Sequence, residues 1–144
     1  MPEAVVDSTV LVSAFLTAKP GGASHELLRF AARGAFTLYL SPAIAREIEE
    51  VLLTRKHLRE RFSYSDEDVR TFIANLTVLA EVTPEITDVP RIVRDPNDDM
   101  VIACALTVGV DYIVTRDKDL LSLGSHASIQ IITPEAFLTR LRGA

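Results

Sequence analysis

Asp7, Glu47, Asp98 and Asp117 are the side chains whose type and placement could do chemistry in this chain. Carboxylates gathered at one point repel, which raises their pKa values unless a cation neutralises them. A site with oxygen ligands only, no histidine or thiolate, suits magnesium or manganese. Asp98 and Asp117 mark the two ends of one stretch, RDPNDDMVIACALTVGVDYIVTRDKDLL, from Arg94 to Leu121. Asp99 and Asp119, their neighbours, read as solvated partners or outer ligands. The basic run Arg55 to Arg61 reads as a solvated helix end that could also touch a polyanion.

Whether the four acids meet depends on the elements that carry them. AVVD, Ala4 to Asp7, reads as a strand, with a helix from Thr9 to Ala18 behind it. Lys19-Pro20-Gly21-Gly22 is turn chemistry, and Ser24 is placed to cap a second helix ending at Gly34. FTLYL, Phe36 to Leu40, has the aromatic and β-branched content of a strand. Ser41-Pro42 then opens a helix to about Thr54, because a capping hydroxyl precedes a proline suited to the first helical position. On its wheel Ile44, Ile48, Val51 and Leu52 form an apolar stripe; Glu47 borders it, whereas Glu49 and Glu50 point away.

After the basic run Arg55 to Arg61, Ser65 and Asp68 have the spacing of a capping box, and Val69, Phe72, Ile73, Leu76 and Leu79 form one face of the helix it starts. EVTP, Glu81 to Pro84, reads as an edge strand; residues 85–94 are weakly determined, with room for a turn of helix. Asp95-Pro96 predicts a buried helix to Val108, stopped by Gly109. DYIVT and SIQII are further strands, and Thr133-Pro134 opens a last helix. This alternation predicts an α/β fold, a three-layer α/β/α sandwich around a mostly parallel sheet. Parallel neighbours would bring Asp7, Glu47, Asp98 and Asp117 to one rim, beyond the carboxyl ends of the strands, where such sheets bind ligands.

Each acid also has a purely structural reading. Asp7 could end a strand, Asp98 could pair with Asp95 in a capping box, Asp117 could cap a short helix at Lys118 to Leu121, and Glu47 could snorkel to solvent. Convergence of all four favours the metal site.

Composition narrows the field. The 144 residues, 48% hydrophobic and 24% charged, fit one folded domain and exclude charge-driven disorder. A net charge of −5 argues against nucleic-acid binding by bulk charge and leaves room for a local basic patch. The longest apolar run, Met100 to Val110, is too short to cross a bilayer, and the first residues lack the features of a signal peptide, so a cytoplasmic location is expected. Cys104, the single cysteine, reads as a small core residue.

VVDSTVLVSAFL, LSPAIAREIEEVL and RDPNDDMVIACAL followed by DYIVTRDKDLL together resemble a PIN domain, close to the VapC-type toxin ribonucleases. The resemblance runs from Val5 to about Leu138. It places the family's four acids on Asp7, Glu47, Asp98 and Asp117, and a hydroxyl beside the metal on Thr115. Thr9 stands where the family usually has asparagine, a change that would alter how Asp7 or a metal-bound water is oriented.

The resemblance implies a metal-dependent endoribonuclease using Mg2+ or Mn2+, the toxin of a type II toxin–antitoxin pair, with RNA as substrate, a small antitoxin as partner, and a homodimer. The RNA would be held by local cations, with Arg46, Arg55, Lys56 and Arg116 as candidates. Two other readings stay open: a magnesium-binding phosphoacceptor module of doubly wound fold, and a catalytically weak interaction protein of PIN shape.

Overall fold

A computed structural model describes residues 1–17 and 22–143. In chain order its elements are β1 (Glu3–Val6), α1 (Ser8–Leu16), α2 (Ala23–Ala32), β2 (Thr37–Leu40), α3 (Pro42–Thr54), α4 (Lys56–Arg61), α5 (Asp66–Leu79) and β3 (Glu81–Val82). They continue with α6 (Pro96–Val108), β4 (Tyr112–Val114), α7 (Lys118–Leu123), β5 (Ser125–His126), β6 (Ile129–Ile132) and α8 (Pro134–Arg142). The strands form one sheet in the order β3-β2-β1-β4-β6-β5, parallel except for the β5–β6 pair.

The order explains where a site can form. From β1 the chain builds outward through β2 and β3, then crosses back to lay β4 on the other side of β1. The direction therefore reverses between β1 and β4, and the crevice beyond their carboxyl ends is the topological switch point at which open α/β sheets bind ligands. Residues Ala4, Val5 and Val6 of β1 are all at most 1% exposed. Successive strand residues point to opposite faces, so both faces of β1 are covered, as a three-layer fold requires.

Local chemistry sets most helix ends. Ser41 Oγ accepts from the Ile44 amide and Thr133 Oγ1 from that of Ala136, each with proline next in the chain. Ser65 and Asp68 form the reciprocal capping box. Gly109 ends α6 in the left-handed region at φ 79°, a conformation that costs a residue with a Cβ. In α3, Ile44, Ile48 and Leu52 are buried while Glu49 and Glu50 are exposed.

Two expectations need correction, one lies outside the described residues, and one strand was missed. Gly22, not Ser24, occupies the N-cap of α2; Ser24 is the second helical residue, and its buried hydroxyl has no partner among the described residues. Most of the turn at Lys19-Pro20-Gly21-Gly22, with the end of the first helix at Ala18, lies outside the described residues. Residues 85–94 contain no helix. The two-residue strand β5 went unforeseen because its turn to β6 uses Ala127 and Ser128 at φ 48° and 72°, whereas asparagine and glycine are the usual signals for that geometry.

Asp99 ties the end of segment 85–94 to α6. It is 4% exposed, and its Oδ1 accepts from the amides of Ile92 (2.9 Å) and Val93 (2.8 Å). The reading of Asp99 as a solvated partner or outer ligand therefore gives way to a structural one: a helix turns about 100° per residue, so adjacent Asp98 and Asp99 face different neighbours. Asp99→Ala would strand two amides and is expected to cost about 2–3 kcal/mol. Urea denaturation and faster amide exchange at Ile92 and Val93 would register the loss, and Asp99→Asn, which keeps the acceptor, is expected to cost much less.

Candidate metal centre

Asp7 follows the last residue of β1 and is 3% exposed. Its Oδ2 accepts a 2.8 Å hydrogen bond from Thr115 Oγ1, just past β4, whose own oxygen accepts from the Asp117 amide at 3.0 Å. Thr115, fully buried, is thus the hinge pin between the ends of β1 and β4. Thr9 Oγ1 lies 3.4 Å from the same Asp7 oxygen, a long contact from an exposed residue. Thr115 rather than Thr9 orients Asp7.

Ser8 completes this side of the site, although its sequence position carries no signal beyond lying next to Asp7. Its hydroxyl donates to Glu47 Oε2 at 2.8 Å and passes Asp7 Oδ1 at 3.4 Å. One hydroxyl hydrogen serves one strong bond, and the shorter contact takes it. Glu47, half-buried on the first turns of α3, is thereby drawn toward the end of β1.

The other side is Asp98 with Asp117 and Asp119. One carboxylate oxygen from each lies within 4.8 Å of the others. Asp98 is the third residue of α6 and does not form a capping box with Asp95, whose side chain accepts from the Asn97 amide instead. Asp98 Oδ2 is buried and meets no donor among the described residues. Asp117 keeps its structural role as well, since Oδ2 caps α7 through the Leu120 amide at 3.0 Å. Asp119 pairs with Arg94 at 3.1 Å, a contact the sequence reading missed; Arg94 is 86% exposed, so the pair is weakly held and a divalent cation would compete with it.

Electrostatics tells the same story. Burial, then the charges of Asp117 and Asp7, pushes the Asp98 carboxyl up to about 7. Burial also raises Asp7, against the hydrogen bond from Thr115 and with help from the Asp117 charge. Glu47 is raised by burial and by Asp7, against the Ser8 hydrogen bond and the charge of Arg55. Three carboxylates held against their ionised forms, with one buried oxygen lacking any donor, are what a hard dication would relieve. The all-oxygen donor set fits Mg2+ or Mn2+.

Of the expected cations, Arg46 is paired with Glu85 and Arg116 with Glu135, so neither is a free phosphate ligand. These pairs link residues 39 and 19 positions apart, beyond what helical spacing predicts. Arg55 and Lys56 are exposed and form no ion pair among the described residues.

A family profile described as the PIN domain matches residues 3–119. The chain belongs to the PIN domain family. Among solved structures, this PIN domain resembles a chain of VapBC2 from Rickettsia felis, a complex crystallised with a DNA fragment from their promoter. The TM-score is 0.63 at 10% identity, covering 91% of this chain and 98% of that one. PAE2754 from Pyrobaculum aerophilum gives a TM-score of 0.61 at 18% identity, over 99% of this chain and 91% of its own. At such identities the likeness establishes a shared fold. No curated protein matches the sequence. No helix among the described residues is long and apolar enough to cross a membrane.

Proposed function

We propose that this PIN domain is a divalent-metal-dependent endoribonuclease, hydrolysing phosphodiester bonds at the rim where β1 and β4 end. The observation that carries the reading is Asp98 Oδ2, a buried carboxylate oxygen with no donor among the described residues, facing a second acidic group at a topological switch point. Asp98, Asp117 and Asp119, with Asp7 beside them, would hold Mg2+ or Mn2+. When bound, the ion supplies Lewis-acid polarisation of the scissile phosphate and lowers the pKa of a bound water.

The chain's own residues do the rest. Asp7 is fixed by Thr115, so its carboxylate needs no reorganisation when substrate arrives. Glu47, half-buried, held by Ser8 and raised in pKa, is the carboxylate suited to take up a proton from the attacking water. Arg55 and Lys56 are the free cations for the RNA backbone, and the exposed Arg46 and Arg116 pairs would yield to phosphates because such pairs are worth about 0–1 kcal/mol. Thr9 stands in place of the usual asparagine, yet Asp7 takes its main support from Thr115, which favours an active enzyme over a catalytically weak interaction protein. The family match favours a nuclease over a phosphoacceptor module.

The toxin role, with a small antitoxin partner and a homodimer, rests on the resemblance to VapC-type toxins and on the likeness to a chain of VapBC2. The deciding assay incubates purified protein with single-stranded and structured RNA in Mn2+, Mg2+ or chelator, beside Asp7→Asn. Cleavage requiring metal and lost in the variant is expected. Cleavage indifferent to both would refute the assignment.

A further inference from the structure

Beside the acid cluster, between α3 and α6, lies a recess of about 290 Å3. Val51 and Met100 give it apolar surface within a mostly polar lining that includes Glu47, Glu50, Arg55 and Asn97. Glu47 belongs both to this recess and, through Ser8, to the acidic site, so the two are continuous. Asn97 is the residue before Asp98. Its backbone amide is held by Asp95 Oδ1 at 2.9 Å, which fixes its place in the first turn of α6. Its side-chain amide, one donor group and one acceptor, forms no hydrogen bond among the described residues. Arg55 ends α3 without an ion-pair partner among those residues, whereas Arg46 is engaged by Glu85.

At the small end of ligand cavities, which start at about 300 Å3, the recess is sized for one ring system rather than for a helix or a peptide strand. The apolar surface of Val51 and Met100 suits the face of a nucleobase, and an amide without a partner among the described residues suits its edge. Single-stranded RNA is the nucleic acid whose bases can be splayed out into such a place. We propose that this recess is a nucleobase subsite that takes one unstacked base adjoining the scissile phosphate, with Val51 and Met100 beneath the ring, Asn97 reading its edge and Arg55 on the attached backbone phosphate. The proposal rests on the ribonuclease reading for its substrate, and it gives that enzyme a base preference at one position next to the cut.

Two measurements test it. The first needs no catalysis: fluorescence anisotropy of labelled decamers of A, C, G or U with the Asp7→Asn protein, with and without Asn97→Ala or Arg55→Ala. Asn97→Ala is expected to compress the ranking of the four by about tenfold, the worth of a base-edge contact. Arg55→Ala is expected to weaken all four alike and to flatten the salt dependence by about one phosphate contact. The second sequences the ends released from a randomised single-stranded RNA by otherwise wild-type protein. One position flanking the cut should show a base preference that Asn97→Ala flattens. Both residues are exposed, so an unchanged Tm is expected in each variant.

An unaltered ranking in Asn97→Ala, or four decamers bound equally by the starting protein, would overturn the subsite. Base-selective binding lost in Asn97→Ala, with no RNA cleaved, would retain the subsite and refute the ribonuclease. Metal-dependent cleavage with the same base profile in both proteins would do the reverse.

Discussion

Asp98→Asn is expected to abolish metal-dependent RNA cleavage, by more than about a hundredfold, while making the metal-free protein more stable. Both effects have one origin. Asp98 is 7% exposed, its Oδ2 meets no donor among the described residues, and its pKa stands at about 7 beside Asp117 and Asp7. At pH 8 its negative charge is a burden on the metal-free fold. Asparagine has the same shape, removes the charge and places an amide hydrogen where the Asp117 carboxylate can accept it. Repulsion among carboxylates at the strand ends is partly screened by water, so the expected gain is roughly 1–2 kcal/mol.

That gain is about 3–7 °C in Tm for a chain of this size. The loss of activity follows because an amide is a poor ligand for a hard cation. Urea denaturation in chelator at pH 8, alongside the cleavage assay, measures both. A variant that is less stable than wild type, or that cleaves normally, would contradict the assigned role. Stability gained at the expense of activity is the expected signature of a site that stores electrostatic strain.

The second large effect is an inversion of pH dependence by metal. Asp7, Glu47 and Asp98 all have folded-state pKa values above their unfolded ones. Such groups contribute stability that is fully present below the unfolded pKa, near 4, and lost as pH rises through the folded pKa, about 7 for Asp98. In chelator, Tm should therefore fall between pH 5 and pH 8. Asp66, Glu85 and Glu135 are shifted downward by arginine partners, and their contribution is lost only as pH falls below the ordinary carboxylate range, outside this window.

Saturating Mn2+ stabilises the ionised carboxylates and competes with protons for them, so the metal-bound Tm should rise over the same interval. The stabilisation by metal, taken as the difference between the two curves, should be near zero at pH 5 and largest at pH 8. Parallel curves with and without Mn2+ would mean that the cation binds elsewhere. Applied to Asp98→Asn, the same scan should lose most of its slope.

How much of this was legible beforehand follows the range of the interactions. Ser41-Pro42, Asp95-Pro96, Thr133-Pro134, the Ser65–Asp68 box and Gly109 each act within four residues, and α3, α6 and α8 start as expected. The alternation of strands and helices was equally readable, and with it the parallel sheet, because a parallel pair needs a long crossover between its strands. Chain order and connectivity then put Asp7 and Asp117 past adjacent strand ends and Asp98 at the start of the returning helix.

The interior of the site was decided by packing. That Asp119 joins Asp98 and Asp117, that Ser8 rather than Thr9 makes the strong polar contact on its side, and that Asp99 turns away to pin Ile92 and Val93 all depend on which side chains meet across elements. Arg46 and Arg116 read as free cations until distant glutamates neutralised them. The sequence by itself determined most of the caps, the layered architecture and the rim on which the acids gather, because periodicity, capping and crossover length are local. Only the tertiary structure decided which carboxylates share the site and which are spent on the fold, because burial and the absence of a donor at Asp98 Oδ2 exist only once β1, β4 and α6 are packed together.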